Sequence, residues 1–225
     1  MMKFSTVIAA AAWAAALLLL QPGLASAATT PVAPASFEQP SQMIHSVADA
    51  LLKEIDGHRA ELRAHPQRIS AIVEKYLLPH FDAALAADLV LGRFGRHVSA
   101  QQRQRFITAM RKALVRSYGT ALLDFHSHML TVYPTHLRPG TTSATVRTVL
   151  TETNGTRLPI DFYVLMTPNG WKVFDLVVEG VSYDMSYRAE LAPQLQQDGL
   201  DAVIERLEGG EKLNAPKPHP HPQRR

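Results

Sequence analysis

Apolar and polar positions along the chain change their spacing twice. Up to about residue 128, apolar residues recur every three or four positions, which is typical of amphipathic helices. They then alternate in runs separated by Gly-containing turns, which is typical of strands, until the helical period returns near residue 184. The order helices, strands, helices predicts an α+β fold in which a curved antiparallel sheet of about four strands packs against a helical layer.

Four helices are predicted before the strands. The first spans about 41–57, and the second follows Pro66 and is interrupted by Pro79. A short third helix ends at Gly92. The longest begins at Ser99, where a hydroxyl residue with Gln three positions later has the form of a capping box.

The strand region contains two clear turn signals. Asn154-Gly155 and Asn169-Gly170 separate apolar runs, so at least three strands are expected to pair antiparallel in chain order. The predicted strands cover 129–136, 142–152, 158–167 and 171–180. Two helices are predicted after them, near 184–196 and 198–208.

The first 27 residues have the form of a secretory signal peptide. Lys3 provides a positive charge, Val7 to Leu20 is apolar, and Ala25-Ser26-Ala27 matches an A-x-A cleavage site. The apolar run is shorter than the ~20 residues that a helix needs to span a bilayer. We therefore expect an exported protein with a cleaved signal at 1–27, located in the periplasm of a Gram-negative bacterium.

The remaining chain divides into three parts. Residues 28–40 are rich in Pro, Ala and Thr and are expected to be a flexible lead-in. Residues 41–208 form the predicted single domain, and 209–225 a disordered basic tail rich in Pro and His.

Composition excludes several classes of function. Residues 28–208 carry 18 basic and 19 acidic side chains, so the high pI comes mainly from the tail, and nucleic-acid binding is not expected. The chain has no cysteine, which excludes disulfides, thiolate metal sites and a Cys nucleophile.

A search for catalytic or metal-binding patterns finds little. Ser182 lies in a loose version of a nucleophile elbow whose fifth residue is Asp184, where Gly is required. His126 and His128 lack any companion at ligand spacing, and neither they nor the tail pair His219 and His221 predict a defined metal site. No glycine-rich phosphate loop occurs.

Asp161 and Asp175 leave one catalytic alternative open. Each is a carboxylate within an apolar strand, and a carboxylate in an apolar cavity can act as a proton-abstracting base. The structural alternative is hydrogen bonding to the backbone or a salt bridge to an arginine. Because no second acid or base is recognisable, the structural alternative is favoured and no enzyme activity is predicted.

The last two strands are apolar on both faces. In the run 171–178, strict alternation places Trp171, Val173 and Val177 on one face and Phe174, Leu176 and Val178 on the other. Run 160–166 behaves in the same way. Either helices cover both faces, or one face lines a cavity for an apolar ligand.

The segment GWKVFDLVVEGVSYDMSYRAEL, residues 170–191, resembles the signature of the MlaC or toluene-tolerance family of periplasmic phospholipid-binding proteins. Further similarities lie at Phe81-Asp82, at Gln101 to Phe106 and at Asp161-Phe162-Tyr163. The resemblance extends over about 40–208. It departs from the family at Arg93-Phe94-Gly95-Arg96, where a tryptophan is common.

The resemblance implies a monomeric lipid carrier with no cofactor, whose cargo is a phospholipid or a hopanoid-type lipid. Acyl chains would lie in an apolar cavity between sheet and helices, with the headgroup at its mouth. The implied partners are an outer-membrane lipoprotein–porin complex and an inner-membrane complex of an MCE protein and an ABC transporter. Transport between them would maintain outer-membrane lipid asymmetry.

The cavity implied by this resemblance has ten candidate lining residues, which are large apolar side chains of the strands and the long helix. They are Met110, Leu114, Tyr118, Phe162, Val164, Trp171, Val173, Phe174, Val177 and Val181. Which strand face meets the lipid stays open. Asp175 and Arg188 are predicted to form a structural ion pair.

Two other functions remain as alternatives. One is an enzyme with a similar cone-shaped cavity that uses Asp161 or Asp175 as base. The other is an adaptor that docks a partner through the basic helix face formed by Arg105, Lys112 and Arg116.

Overall fold

The computed structural model describes residues 39–216. The predicted signal peptide, nearly all of the predicted lead-in and the last nine residues of the predicted tail lie outside the described residues. Within 39–216, no helix is long and apolar enough to cross a membrane. The fold is α+β, as the order of the apolar patterns predicted.

Helices precede and follow the sheet. The α-helices of the described chain are α1 (Pro40–Ala64), α2 (Ile69–Tyr76), α3 (Ala83–Leu91), α4 (Ala100–Tyr118) and α5 (Tyr183–Glu208). Short 3-10 segments connect them at Pro66–Arg68, Leu78–His80, Gly92–His97, Gly119–Asp124 and Ser127–Met129.

The sheet is antiparallel, and its strands lie side by side in chain order. They are β1 (Leu130–Val132), β2 (Ser143–Thr151), β3 (Arg157–Thr167), β4 (Gly170–Val178) and the two-residue β5 (Val181–Ser182). Gly155 and Gly170, at the two predicted hairpin turns, have φ values of 84° and 91°, a region in which glycine carries no steric penalty. The pairing of β2, β3 and β4 confirms both hairpins.

One helix end differs from the prediction, and one predicted helix break is found as a kink. Helix α1 continues through Gly57 to Ala64, because a single exposed glycine costs too little to end a helix that is buried along one face. The break predicted between two helices after the sheet lies at Gly199, whose non-helical φ and ψ kink α5.

Side-chain caps start three of the helices. Ser99 and Gln102 form the predicted capping box at α4. Asp82 accepts a hydrogen bond from the Leu85 amide at the start of α3, and Ser182 accepts one from the Met185 amide at the start of α5. These bonds satisfy amides that have no partner within the helix.

The helices form two groups on the sheet. Helix α1 packs on β1 and β2, whereas α3, α4 and α5 pack against one another. The long side chains at the centre of the core include Met43 on α1, Phe106 on α4 and Tyr187 on α5, all fully buried.

The first part of the predicted disordered tail is packed on the domain. Leu213 is buried, its amide donates to the Ser117 hydroxyl, and its carbonyl accepts from the Tyr118 hydroxyl at 2.9 Å. Arg116 donates to the carbonyl of Glu211. Residues 209–216 therefore belong to the fold, because Leu213 is buried and Ala215 packs against the core.

Candidate functional site

An apolar cavity lies between α1 and the sheet. It encloses about 890 Å³, counting the open space at its mouth. We call it the main cavity; it is lined by Met43, Ile44, Val47, Ala48, Leu51, Leu52, Leu77, His80, Phe81, Leu122, Phe125, Leu130, Leu150, Ile160, Phe162, Val173 and Leu176. Its apolar lining is typical of a site for an apolar ligand.

Helix α1 provides one wall because its apolar residues fall on one stripe. Ile44, Val47, Ala48, Leu51 and Leu52 follow the 3.6-residue period, so they point the same way. The amphipathic pattern thus gives α1 a face that must be covered. Here part of that cover is the sheet and part is empty space.

The sheet provides the opposite wall. Leu150 of β2, Ile160 and Phe162 of β3 and Leu176 of β4 all line the main cavity. Phe162 faces Val146 and Leu176 in the register of its two neighbouring strands, so these side chains share one face of the sheet. We call this face the inner face.

A β-bulge explains the apparent second apolar face of β4. Tyr163 pairs with Asp175 and Val164 pairs with Val173, which leaves Phe174 without a partner on β3. The extra residue reverses the alternation, so Val173 before it and Leu176 after it both line the main cavity. Residues of β4 that strict alternation would place on opposite faces, such as Val173 and Leu176, therefore share the inner face.

The segment between α2 and α3 closes one end of the cavity. The Asp82 amide donates to the Val173 carbonyl at 2.7 Å, and Phe81 forms an isolated parallel bridge with Val173. These bonds attach the segment to the free edge of β4 beside the lining residue His80.

His80 is the one described lining residue with a polar side chain. Burial lowers the pKa of its imidazole, and the positive charge of Lys172 lowers it further, so the neutral form is favoured at pH 7. Lys172 itself donates to the Pro79 carbonyl. No described carboxylate, hydroxyl or amide side chain lines the cavity, which is therefore suited to binding apolar groups.

The predicted lining residues are distributed over several places. Phe162 and Val173 line the main cavity. Val164 and Trp171 are buried in the sheet away from it, and Val181 is buried on β5. Phe174 and Val177 are half-buried outside the cavity.

The three predicted residues of α4 lie on another side of the core. Met110 and Leu114 line a smaller space between α3 and α4. Tyr118 is buried against the chain that follows α5, and its hydroxyl lies 3.5 Å from that of Tyr187.

None of the α1 residues that line the main cavity was among the predicted lining residues. The 3.6-residue stripe of α1 was the available signal, but the same stripe is produced by any helix that packs on a filled core. Leu122 and Phe125, which follow α4, lie in a 3-10 turn and at the residue after it, so the helical period of α4 did not identify them as lining residues.

Asp175 has partners other than the arginine predicted. It accepts from the Ser182 hydroxyl at 2.6 Å and from the Asp184 amide at 3.1 Å. Arg188 lies against Gly92 and forms no ion pair with Asp175 within the described chain. The carboxylate thus fixes the turn from β5 into α5, because it satisfies a hydroxyl and amides that begin the helix.

Ser182 and Asp175 lie at the turn that begins α5, and Asp161 lies on β3. Ser182 caps α5 and donates to Asp175, so its hydroxyl is already engaged at both ends. Neither Asp161 nor Asp175 lines the main cavity. The described residues also contain no group of three or more His, Asp or Glu side chains placed to hold a metal ion.

The basic side chains of α4 contact α5 and the segment after it. Arg105 binds both carboxylate oxygens of Glu208, at 3.1 and 2.6 Å. Arg116 donates to the carbonyls of Leu207 and Glu211. Two of the three predicted docking residues, Arg105 and Arg116, therefore form hydrogen bonds within the chain.

Comparison with known proteins identifies relatives over most of the described chain. A sequence model of the family described as MlaC protein matches residues 45–209. The toluene tolerance protein ttg2D of Pseudomonas putida is 24% identical over 175 residues, covering 77% of this chain and 81% of that protein.

A second relative and one solved structure agree with this match. The intermembrane phospholipid transport system binding protein MlaC of Haemophilus influenzae is 24% identical over 173 residues, covering 75% of this chain and 80% of that protein. The crystal structure of a phospholipid-binding protein from Ralstonia solanacearum, in complex with a phospholipid, has the same fold, with a TM-score of 0.70 at 23% identity. The likeness covers 76% of this chain and 96% of the Ralstonia chain.

Proposed function

We propose, from the premise that this chain belongs to the MlaC protein family, that it binds a phospholipid by enclosing the acyl chains in the main cavity. The observation that carries the proposal is the cavity itself. Its wall is apolar at every described residue except His80.

The physical need for such a cavity is clear. Each methylene that is moved out of water contributes about 0.8 kcal/mol, so lipid tails do not cross an aqueous compartment at a useful rate unless they are shielded. A cavity with one polar lining side chain provides that shielding without catalytic groups.

The proposal extends to transport between membranes. We propose that the chain is exported by its signal peptide and carries lipid in the periplasm between an outer-membrane lipoprotein–porin complex and an inner-membrane complex of an MCE protein and an ABC transporter. Such transport would maintain the lipid asymmetry of the outer membrane. The family membership and the names of the relatives from Pseudomonas and Haemophilus support this extension.

The test begins with the lipid content of the purified protein. The protein is purified from cells without detergent and extracted with organic solvent, and the extract is analysed by mass spectrometry. We expect stoichiometric phospholipid. A protein that is lipid-free and takes up no lipid from phospholipid vesicles contradicts the proposal.

A matched pair of substitutions on α1 locates the lipid. Ala48 lines the main cavity, whereas Ala60 is exposed on the same helix. Ala48→Trp places an indole in the cavity and is expected to reduce bound lipid at least about tenfold, since the indole replaces several methylene contacts worth ~0.8 kcal/mol each. Ala60→Trp is expected to leave the lipid content unchanged, and equal loss in both variants would place the lipid elsewhere.

A further inference from the structure

A second apolar cavity lies beside the main cavity. It lies between α3 and α4 and measures about 280 Å³ when the open space at its mouth is counted; we call it the second cavity. Ala83, Ala86 and Ala87 on α3 form one wall, and Phe106, Met110 and Leu114 on α4 form the other. The small alanine side chains leave this space, because larger residues at these positions would fill it.

Phe81 is the one described residue that lines both cavities. Its half-buried side chain therefore lies at the partition between them. On one side of the partition lies the end of the main cavity at Leu77 and His80, and on the other side lies the α3 wall of the second cavity.

The backbone around Phe81 is held on both sides. Its own amide donates to the Leu78 carbonyl at 3.2 Å, and the next amide, that of Asp82, donates to the Val173 carbonyl at 2.7 Å. The Asp82 carboxylate then caps α3 by accepting from the Leu85 amide at 2.9 Å. With the main chain attached to the sheet and to the helix, the identity and rotamer of the side chain decide whether the two cavities communicate.

One charged residue also lines the second cavity. The Arg111 side chain is 2% exposed, and its guanidinium donates to the Glu74 carboxylate. Because this charge is paired within the protein, entry of an apolar group does not leave an isolated buried charge.

We infer that Phe81 is a specificity-determining residue that limits the length of acyl chain the protein accepts, by separating the main cavity from the second cavity. A smaller residue at this position would join them and admit the end of a longer chain between α3 and α4. This inference rests on the proposed lipid-binding function and names the side chain that sets its chain-length range.

The experiment measures which chain lengths the protein selects. The delipidated full chain is incubated with vesicles that contain equal amounts of dimyristoyl, dipalmitoyl, distearoyl and diarachidoyl phosphatidylcholine. Bound lipid is then quantified by mass spectrometry. For Phe81→Ala, the ratio of diarachidoyl to dimyristoyl lipid is expected to rise at least about fourfold over wild type, the factor for one further buried methylene.

A matched control distinguishes joining of the two cavities from enlargement of the main cavity alone. Phe162 lines the main cavity but not the second cavity, so Phe162→Ala removes the same side chain without opening the partition. Ala87→Leu fills the second cavity from α3. Adding Ala87→Leu is expected to restore the wild-type ratio in Phe81→Ala and to have no such effect in Phe162→Ala.

Each outcome decides one part of the inference. If wild type loads lipid and Phe81→Ala selects the same lengths, or if Ala87→Leu acts equally in both backgrounds, the partition is not at Phe81. If Phe81→Ala does not fold, Phe81→Leu repeats the design with less loss of packing. A wild type that takes up none of the four lipids contradicts the proposed function, and the inference with it.

Discussion

Two neighbouring carboxyl groups, Asp175 and Asp184, are buried where β4 and β5 meet α5. Asp175 is fixed by the Ser182 hydroxyl and the Asp184 amide, but neither carboxyl oxygen of Asp184 has a hydrogen-bond partner in the described chain. Burial raises the pKa of Asp184 to about 10, the nearby Asp175 adds to the rise, and Arg188 opposes it. Asp184 is therefore neutral at pH 7 in the folded protein.

This neutral carboxyl makes stability fall with rising pH. The folded-state pKa of Asp184 is about 10, above its usual value of 3.8, so unfolding releases a proton between these limits. The contribution is complete below about pH 4 and is lost as the pH rises through about 10. The free energy of unfolding is measured by urea titration at several pH values. For Asp184→Asn it is expected to fall less steeply with rising pH than for wild type, by up to about 1.4 kcal/mol per pH unit.

Asp49→Asn is the control for this change, because Asp49 is exposed on α1. It is expected to leave the pH dependence of unfolding as in wild type. If Asp184→Asn also keeps the wild-type pH dependence, the buried carboxyl is not its source.

At the scale of elements, two glycines in helical segments have opposite roles. Gly57 lies in the exposed part of α1, and a Cβ added there would have no heavy atom within 4 Å. Gly199 forms the kink of α5 with φ of 80° and ψ of 172°, a conformation that residues with a Cβ rarely adopt. One glycine only weakens its helix, and the other shapes it.

Alanine substitutions at these positions should therefore shift stability in opposite directions. Gly57→Ala is expected to raise the free energy of unfolding by about 0.5–1 kcal/mol, because alanine loses less backbone entropy in a helix. Gly199→Ala is expected to lower it by about 1–2 kcal/mol, because the positive φ is strained for alanine. Chemical denaturation of both variants and of wild type measures these changes in the free energy of unfolding. If Gly199→Ala stabilises the protein, the positive φ at Gly199 is not needed for the kink.

At the scale of the whole molecule, the main cavity lowers the stability of the folded protein when no ligand fills it. Side chains that line unfilled space lose contacts that a packed core would have. A ligand that binds only the folded state restores such contacts, and the stabilisation grows with the logarithm of the ligand concentration once this exceeds the dissociation constant.

Lipid loading is therefore expected to raise the melting temperature. At free lipid ~100 times the dissociation constant, the gain is about 2.7 kcal/mol, or roughly 5–10 °C for a domain of this size. Differential scanning calorimetry of loaded and delipidated protein measures the shift. Ala48→Trp, whose indole occupies the same space, is expected to show little of it, and a full shift in that variant would contradict binding in the main cavity.

Much of the architecture followed from local patterns. The capping box at Ser99, the two Asn-Gly turns and the alternation of β2 and β3 all predicted elements that the structure contains. The end of α1 was not predicted, because packing along a buried face outweighs the small penalty of one glycine.

The candidate site was less predictable than the fold. Phe162 and Val173 were among the predicted lining residues and do line the main cavity, but α1 contributes more of its wall than either strand. A stripe of apolar residues on a helix predicts that the helix is covered. It does not predict whether the cover is complete.

The sequence by itself determined the order of elements, the two hairpin turns and which face of each helix is apolar, because these depend on residues close together in the chain. Tertiary structure decided where empty space lies. The bulge at Phe174 brings Val173 and Leu176 to one face, and α1 stands away from that face far enough to leave a cavity. Both depend on how distant segments pack, which no local period of apolar residues specifies.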